Sequence, residues 1–358
     1  MGATFGRNLR MTIFGESHGK GIGLVLDGLP PGTPIEEEFI KEEMARRAPG
    51  KNRMSTQRQE NDAFIIESGV FEGKATGTPL CVLIPNSDQH SKDYSLLKDV
   101  MRPGHADYAG KVRYKGFNDY RGGGHFSGRL TAPLVFTGAV ARTVLAQKGI
   151  VVGAHVARIG TVTDILFNPL GETAERLQAL RKFTLPVLDG GKDSLMEAEI
   201  MSAREQMDSV GGIVEVMAVG MPPGVGDPFF DSLESRLSHA LFSVPAVKGI
   251  EFGAGFAMAT LKGSEANDPM TVENGRVQTT RNNNGGITGG ITNGMPVLFR
   301  VAIKPTPSIG QPQQTVNVTE GKDTVLEIKG RHDPCIVPRA VPVVEAVTAW
   351  VLLDMLLE

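Results

Sequence analysis

Apolar positions along the chain occur in two patterns, as short runs closed by glycine and proline and as longer stretches with helical spacing. Residues 21–32 read GIGLVLDGLPPG, and residues 212–224 read GIVEVMAVGMPPG. Each pattern predicts a strand that ends in a Pro-Pro-Gly turn. The similarity of the two segments indicates an internal duplication, which has to be recognised before a fold is assigned.

The segments that follow these strands repeat as well. Capping-box spacing predicts helix starts at 33–36 and at 231–234, with Thr33 and Asp231 as the capping residues. The strands predicted next resemble each other in the two halves. The apolar helices at the end of each half also resemble each other. These strands are 78–84 and 295–301, and the helices are about 133–148 and 340–356.

The duplication predicts an α+β fold, in which two related halves of strand, helix, strands, loop and helix place helices beside sheets. No low-complexity tract or flexible linker separates the halves, which favours a single domain over residues 1–358. A charged helical connector is expected between them. The two halves and the connector span about 1–150, 210–358 and 170–209.

The composition argues against several classes of protein. The formal net charge is -3 and the pI is about 6.2, so no general basic field favours nucleic acid or an anionic membrane as a partner. The two cysteines, Cys81 and Cys335, lack metal-ligand spacing, which is typical of a reducing compartment and predicts a cytoplasmic protein. Residues 1–10 lack a signal-peptide core, and no apolar run is expected to reach the ~18 residues of a membrane span.

Glycine is enriched, with 44 of 358 residues, against an average near 7%. Its clusters at 121–124 and 285–290 are either ligand-lining loops or flexible turns.

Three glycine-flanked segments carry histidines suited to acid/base chemistry. They are GESHG at 15–19, RPGHAD at 102–107 and GRHDPC at 330–335. His18 lies beside Ser17 and His105 lies near Asp107, so a polar neighbour can orient each ring and set its protonation. The segments predict one acid/base site that binds an anion. The remaining histidines are interpreted as structural; examples are His90, His155 and His239.

Arginines gather where the first helix is expected to end. Arg46 and Arg47 could simply complement the helix dipole, whereas Arg53 beyond the Pro-Gly break favours a polyanionic ligand. The loop 304–308 (KPTPS) either holds a phosphate or cofactor edge or closes a strand as an ordinary turn. Zinc-site spacing and a P-loop are absent from the sequence, and 253–258 lacks the third glycine of a dinucleotide fingerprint.

Taken in order, these motifs resemble chorismate synthase over essentially the whole chain. The matching segments are GESHG at 15–19, RPGHADY at 102–108, YRGGG at 120–124, KPT at 304–306 and GRHDPC at 330–335. The resemblance implies a homotetramer whose subunit is a β-α-β sandwich, with helices flanked by antiparallel sheets and an internal pseudo-two-fold duplication. It implies conversion of 5-enolpyruvylshikimate 3-phosphate to chorismate and phosphate, a 1,4-anti elimination that needs reduced FMN without net redox change.

The resemblance also implies residue roles. His18 would protonate the leaving phosphate, and His105 would protonate the reduced flavin near N1. Asp333 would help flavin N5 to remove the ring proton of the substrate. The substrate-binding residues would be Ser17, Arg47, Arg53, Arg102, Arg129 and Arg331. The FMN-binding residues would be His125, Phe126, Ser127, Pro245, Ala246, Gly289, Lys304, Pro305, Thr306, Pro307, Ser308 and Arg331. No metal is expected.

One segment departs from the family pattern. Where most members read Gly-Gly-Arg-Ser-Ser-Ala-Arg-Glu-Thr, residues 123–131 read GGHFSGRLT. Ser127 and Arg129 are retained. His125 could replace the lost arginine as a partial cation, and Phe126 could pack on the flavin or on the core.

The source of reduced flavin is left open between NADPH and an external flavin reductase; the absence of a nicotinamide-site pattern in the sequence favours the external supply. Two other classes of protein are weighed against the enzyme. One is a flavin- or anion-binding protein that has lost catalysis through the change at 125–130, which the retained His18, His105 and Asp333 oppose. The other is a nucleic-acid-binding module using residues 46–58, which the net charge opposes.

Overall fold

The computed structural model describes residues 2–50, 54, 62–86, 97–328 and 333–357. The strands are β1 (Thr4–Phe5), β2 (Arg10–Gly15), β3 (Gly21–Asp27), β4 (Ile65–Ser68), β5 (Val70–Phe71), β6 (Lys74–Ala75), β7 (Leu80–Pro85), β8 (Val151–Ile159), β9 (Val162–Thr163), β10 (Gly212–Val219), β11 (Val247–Phe252), β12 (Met270–Glu273), β13 (Arg276–Thr279), β14 (Ile287–Thr288), β15 (Ile291–Thr292), β16 (Val297–Ile303), β17 (Gln313–Asn317) and β18 (Lys322–Leu326). The α-helices are α1 (Glu37–Arg47), α2 (Asp107–Arg113), α3 (Thr131–Gln147), α4 (Ala174–Leu180), α5 (Lys192–Glu205), α6 (Leu233–Phe242), α7 (Gly263–Ala266) and α8 (Val337–Leu356).

Two five-stranded antiparallel sheets carry the duplication. The first has the order β1-β2-β3-β7-β4, and the second, read from its far edge, has the order β9-β8-β10-β16-β11. Each strand of one sheet therefore has a counterpart at the same place in the other, including the two strands that end in Pro-Pro-Gly turns. The expectation of an α+β fold with antiparallel, duplicated sheets is confirmed.

The long helices lie between the two sheets. Helix α3 contacts β3 of the first sheet, α8 contacts β8 and β10 of the second, and α3 and α8 pack along each other. A Cβ on Gly138 of α3 would lie 2.2 Å from Cβ of Ala346 on α8, so the crossing needs glycine at this position. One buried hydrophobic cluster contains residues from both sheets and from α3 and α8.

The central position of α3 explains its composition. By length and composition alone the stretch Arg121–Gln147 would qualify to cross a membrane, which the sequence analysis did not expect, but 78% of its apolar window is buried inside the protein. A helix packed on all sides is apolar all round. Helix α3 is accordingly a core helix of this fold.

The predicted helix caps are wrong at both starts. Helix α1 is preceded by Glu36 at its cap position, without a side-chain cap, and the Thr33 hydroxyl donates to the carbonyl of Pro30, at 2.7 Å, in the preceding turn. Helix α6 is capped by Ser232, whose hydroxyl accepts a hydrogen bond from the backbone N–H of Ser235, rather than by Asp231. In both cases the helix begins later in the sequence than the spacing predicted.

A buried ionic network ties α1, α3 and α8 together. Glu43 of α1 and Glu345 of α8 are both paired with Arg46, at 3.0 and 2.6 Å, and with Arg142 of α3, at 3.1 Å each. Burial alone would raise the pKa of Glu43, but Arg142, Arg46 and Arg181 outweigh it and lower that pKa. Arg46 is thus a structural residue.

His155 lies fully buried between two carboxylates of the second sheet. Its Nε2 is 2.9 Å from Glu215 Oε2, and its Nδ1 is 3.2 Å from Asp164 Oδ2. Burial alone would lower the pKa of His155, but Asp164 and Glu215 outweigh it and raise that pKa above the usual 6.5. The structural interpretation of His155 agrees with this position.

The raised pKa of His155 predicts a stability that falls as pH rises. Its contribution is complete below the unfolded-state value of 6.5 and is lost as pH rises through the folded-state pKa. We expect His155→Gln to lower the free energy of unfolding by about 3 kcal/mol at pH 6, less at each higher pH. Denaturant titrations at a series of pH values from 6 upward, with His239→Gln as control, test this; a difference from wild type that stays constant over the series would contradict it.

Candidate active site

Ser17 and His18 occupy the short connection between β2 and β3, and both are buried. The Ser17 hydroxyl lies 3.1 Å from His18 Nδ1 and within 3.1 Å of the carbonyl of Gly122, to which it donates. A hydroxyl that donates to a carbonyl can accept from the ring, so Nδ1 carries a proton. The His18 imidazole therefore gains or loses its second proton at Nε2.

The glycine loop 121–124 packs directly on the His18 ring. A Cβ on Gly122 would lie 2.1 Å from Cε1 of His18, and the φ of Gly122 is 56°, so the position requires glycine. Beside it, hydrogen bonds from Arg121 lower the pKa of Asp119, against the effect of burial, and His18 contributes in the same direction. The Asp119 carboxylate thus lies close enough to attract a protonated His18.

The His105 loop packs against the loop 304–308. His105 Nε2 lies 2.8 Å from the Ser308 hydroxyl, and Lys304 Nζ donates to the carbonyl of Gly104 at 2.6 Å. A Cβ on Gly104 would lie 2.8 Å from Cβ of Pro307, so the close approach of the two loops depends on glycine. The structure therefore brings one candidate catalytic histidine to the candidate cofactor loop.

The same glycine loop connects the two histidine segments. A Cβ on Gly123 would lie 3.8 Å from Ser127 and 4.0 Å from Nη2 of Arg102. Arg102 is buried and makes a two-pronged ion pair with Asp107, with Nε and Nη2 each 2.8 Å from a carboxylate oxygen. The glycine loop therefore contacts the His18 ring through Gly122 and approaches Arg102 of the His105 segment through Gly123.

Two substrate-binding candidates share one buried carboxylate. Arg47 Nε donates to Oδ2 of Asp62 at 2.7 Å, while Arg129 Nη1 pairs with Oδ1 of the same side chain. Arg129 Nε also donates to Oδ1 of Asn86 at 3.2 Å, and the Asn86 amide donates to the carbonyls of Glu16 and Gly19 at 2.9 Å each. Asn86 thereby joins the arginines to the His18 loop.

Arg339, at the start of α8, completes this group. Its Nη1 is 2.7 Å from Oδ2 of Asp333, and its Nε donates to the carbonyl of Arg47 at 3.1 Å. Burial lowers the pKa of Arg47, Asp62 opposes this, and the guanidiniums of Arg339 and Arg129 lower that pKa further. Among the described residues, three guanidiniums here face the two carboxylates of Asp62 and Asp333, and this excess of positive charge favours an anionic ligand.

The segment that departs from the family pattern is held by protein contacts. His125 Nδ1 lies 2.9 Å from the carbonyl of Gly15, so this nitrogen is the donor. The Phe126 ring packs against α2, where a Cβ on Gly110 would lie 2.7 Å from it and the Tyr114 ring centroid is 6.1 Å away. The Ser127 hydroxyl accepts from the backbone N–H of Arg129.

The remaining cofactor candidates fall into two places. Ala246, next to Pro245, has a φ of 76°, and its carbonyl accepts from the backbone N–H of Lys304 at 2.9 Å, so this turn adjoins the loop 304–308. The Thr306 hydroxyl oxygen is buried and has no hydrogen-bond partner among the described residues. Gly289 lies in the turn between β14 and β15, where the neighbouring Gly290 carbonyl accepts from the N-terminus of α6. These contacts do not join it to the other candidates.

Two of the predicted residues, Arg53 and Arg331, lie outside the described residues. In the part of the chain that the structure describes, no group of three or more His, Cys, Asp or Glu side chains could hold a metal ion.

Sequence reasoning missed Asp62, Asn86, Asp119 and Arg339 as residues of this region. Asn86 carried a usable signal, since it is a polar residue directly after the apolar strand β7. Asp119 carried another, since it adjoins the glycine motif and pairs with Arg121 two residues later. Asp62 and Arg339 are recognisable only from their tertiary partners.

The shared carboxylate gives a stability prediction. Asp62→Asn leaves the guanidiniums of Arg47 and Arg129 buried without their counter-charge, and we expect the free energy of unfolding to fall by about 3–5 kcal/mol. Added sulfate should restore more stability to this variant than to wild type, because an anion can replace the carboxylate.

Chemical denaturation with and without sulfate measures both effects. Asp119→Asn is the matched control, because its pair with Arg121 is partly exposed and should contribute less than about 1 kcal/mol. An equal loss of unfolding free energy in the two variants would show that the Asp62 ion pairs stabilise the protein no more than a partly exposed pair does.

Comparisons with known proteins agree in one family. A family model described as chorismate synthase matches residues 9–357. Curated proteins named chorismate synthase from Thermococcus gammatolerans and Pyrococcus abyssi are 50% and 49% identical over 352 residues, covering 98% of this chain and 97% of each relative. A solved structure titled as the crystal structure of chorismate synthase aligns with a TM-score of 0.76 at 32% identity, covering 99% of this chain and 93% of that one.

Proposed function

This chain belongs to the chorismate synthase family, and from that premise we propose that it converts 5-enolpyruvylshikimate 3-phosphate to chorismate and phosphate by a 1,4-anti elimination that requires reduced FMN without net redox change. In this proposal it is a carbon–oxygen lyase acting on a phosphate ester. The observation that carries it is the guanidinium group of Arg47, Arg129 and Arg339, joined by Asn86 to the buried His18 loop.

The charge of the substrate fits the arginine group. Two carboxylates and a phosphate monoester carry roughly four negative charges at neutral pH. The surplus positive charge around Asp62, together with Arg102, Arg53 and Arg331, would neutralise them. Because the protein as a whole is slightly acidic, with a net charge of -3, this attraction is local.

His18 would act at the leaving group. Expulsion of phosphate builds negative charge on the departing oxygen, and a proton donated from Nε2 of His18 lowers that barrier. Ser17 holds Nδ1 and thereby sets which nitrogen donates.

The residues around the loop 304–308 fit a flavin phosphate and ring edge. The buried Thr306 hydroxyl lacks a partner among the described residues, Lys304 supplies a cation, and Ala246 adopts a left-handed backbone that brings its carbonyl to Lys304. When bound, reduced FMN supplies electron density for the electron-poor ring and an acceptor for the ring proton. His105, held by Ser308, would hold a proton at the edge of the flavin ring.

Asp333 would assist removal of the ring proton. Its carboxylate is oriented by Arg339, which also contacts the carbonyl of Arg47. The candidate base and a substrate-binding arginine are therefore positioned by the same guanidinium. This would hold the base at the reacting carbon while the arginine binds the charged groups of the substrate.

We further propose a homotetramer in the cytoplasm, with reduced flavin supplied by an external reductase or from NADPH. Exposed apolar side chains support self-association; they are Phe229, Phe230, Phe256, Met270, Val272 and Val277. Both cysteines are free thiols, which suits a reducing compartment.

An anaerobic assay tests the activity. The protein is incubated with 5-enolpyruvylshikimate 3-phosphate and photoreduced FMN, and phosphate and chorismate are followed together. Equimolar release of both is expected, with none in the presence of oxidised FMN. Binding of substrate and flavin without phosphate release would instead indicate a scaffold that has lost catalysis.

His18→Ala and His105→Ala are expected to lower turnover by roughly 10- to 10⁴-fold, the range for loss of a general acid or base. Circular dichroism should show that both variants keep the fold. His239→Gln, which alters a histidine that packs on the Phe5 ring, should retain wild-type turnover. Unchanged turnover in either alanine variant would exclude the role assigned to that histidine.

A further inference from the structure

The turn between α5 and β10 supports the loop 304–308 from outside. Ser209, in this turn, donates its hydroxyl hydrogen to the carbonyl oxygen of Thr306 at 2.6 Å. Pro305 and Pro307, on either side of Thr306, have no backbone N–H to donate. Because the loop therefore cannot form a regular ladder of backbone hydrogen bonds, contacts from other segments have to fix its path. The Ser209 hydroxyl is such a contact, at the middle of the loop.

The anchored carbonyl lies two residues before Ser308, which contacts a candidate catalytic histidine. The Ser308 hydroxyl is 2.8 Å from Nε2 of His105. Pro307 lies between Thr306 and Ser308, and a Cβ on Gly104, next to His105, would be 2.8 Å from its Cβ. The ring of Pro307 fixes its φ, so a displacement of the Thr306 carbonyl is passed on to Ser308. The position of the His105 partner therefore depends on Ser209.

The next residue of the same turn holds the segment that carries the candidate base. The backbone N–H of Val210 donates to the carbonyl of Pro334 at 2.9 Å, and Pro334 directly follows Asp333. Ser209 and Val210 are neighbours in the sequence, so the two hydrogen bonds share one short piece of backbone. This turn consequently joins the loop that contacts His105 to the segment of Asp333.

We propose that Ser209 is a positioning residue, which holds His105 at its working distance from Asp333 by tying the Thr306 carbonyl to the turn that also binds Pro334. This inference rests on the proposed function, in which both side chains serve one reaction. Ser209 acts through the loop 304–308 and not on the reacting atoms. Displacement of a reacting group by about 1 Å can cost about 10²-fold in rate, so the loss of one anchoring hydrogen bond is expected to slow turnover.

Steady-state kinetics at saturating photoreduced FMN tests the effect on turnover. Ser209→Ala is expected to lower kcat about 10-fold while the KM for 5-enolpyruvylshikimate 3-phosphate changes by less than about 2-fold, because the proposed substrate-binding arginines lie on other segments. Ser209→Thr keeps the hydroxyl and should recover most of the lost kcat. Ser68→Ala is the matched control: it removes a hydroxyl that donates to the carbonyl of Pro79 at 3.0 Å, at the edge of the first sheet, and should leave kcat unchanged.

The reactivity of His105 toward diethyl pyrocarbonate tests the positioning without turnover. Loss of the Ser209 anchor should free Nε2 from the Ser308 hydroxyl, so the carbethoxylation rate of His105, followed by mass spectrometry of its peptide, should rise about 5-fold in Ser209→Ala, since one hydrogen bond contributes about 1 kcal/mol. The exposed His239 serves as the internal reference and should react equally in all variants. Ser68→Ala should show the wild-type rate at His105.

The outcomes separate this inference from the proposed function. An active wild type with an unchanged kcat in Ser209→Ala would overturn the inference alone, and so would a lower kcat with unchanged reactivity of His105. A wild type that forms no chorismate would contradict the proposed function. In that case a raised reactivity of His105 in Ser209→Ala would still support the positioning of His105 by Ser209, and an unchanged reactivity would overturn it.

Discussion

One buried carboxylate, Asp62, allows two guanidiniums to stand side by side in the interior, and the architecture of the candidate site depends on it. Arg47 ends α1 and Arg129 precedes α3, so the shared carboxylate also fixes how these helices meet. Arg339 adds a third positive group near Arg47 and Asp333 adds a second carboxylate, so positive charge exceeds negative charge among the described residues of the cluster. That excess charge is the physical basis of the proposed anion site in a protein with a net charge of -3.

The duplicated sheets are equivalent in strand order but not in the connections they carry. In the first sheet, β2 runs into β3 through the short loop that holds Ser17 and His18; in the second, the corresponding connection between β8 and β10 contains β9, α4 and α5. The His105 loop of the first half meets the loop 304–308 of the second. A symmetric scaffold therefore supports one asymmetric candidate site, because the candidate catalytic histidines lie in the loops and not in the strands.

Patterns local in sequence could be predicted, and contacts distant in sequence could not. The paired Pro-Pro-Gly strands revealed the duplicated sheets, and the glycine-flanked histidines marked the site. Arg46 and Arg47 show the limit: neighbours on a helix point about 100° apart, so one enters the Glu43–Glu345 network and the other reaches Asp62. The sequence alone does not show which of the two adjacent arginines joins which network. Arg339 was missed for the same reason, since only Asp333 and the Arg47 carbonyl identify it.

The contacts of Ser17 and Gly122 with the His18 ring have a kinetic consequence. Rotating the imidazole by half a turn would break the Nδ1 contact with Ser17, and the Gly122 backbone leaves little room for that rotation. In the proposed reaction the ring could not collect a fresh proton on one side and deliver it on the other. Each proton donated to departing phosphate would have to be replaced at the same nitrogen, Nε2, before the next turnover.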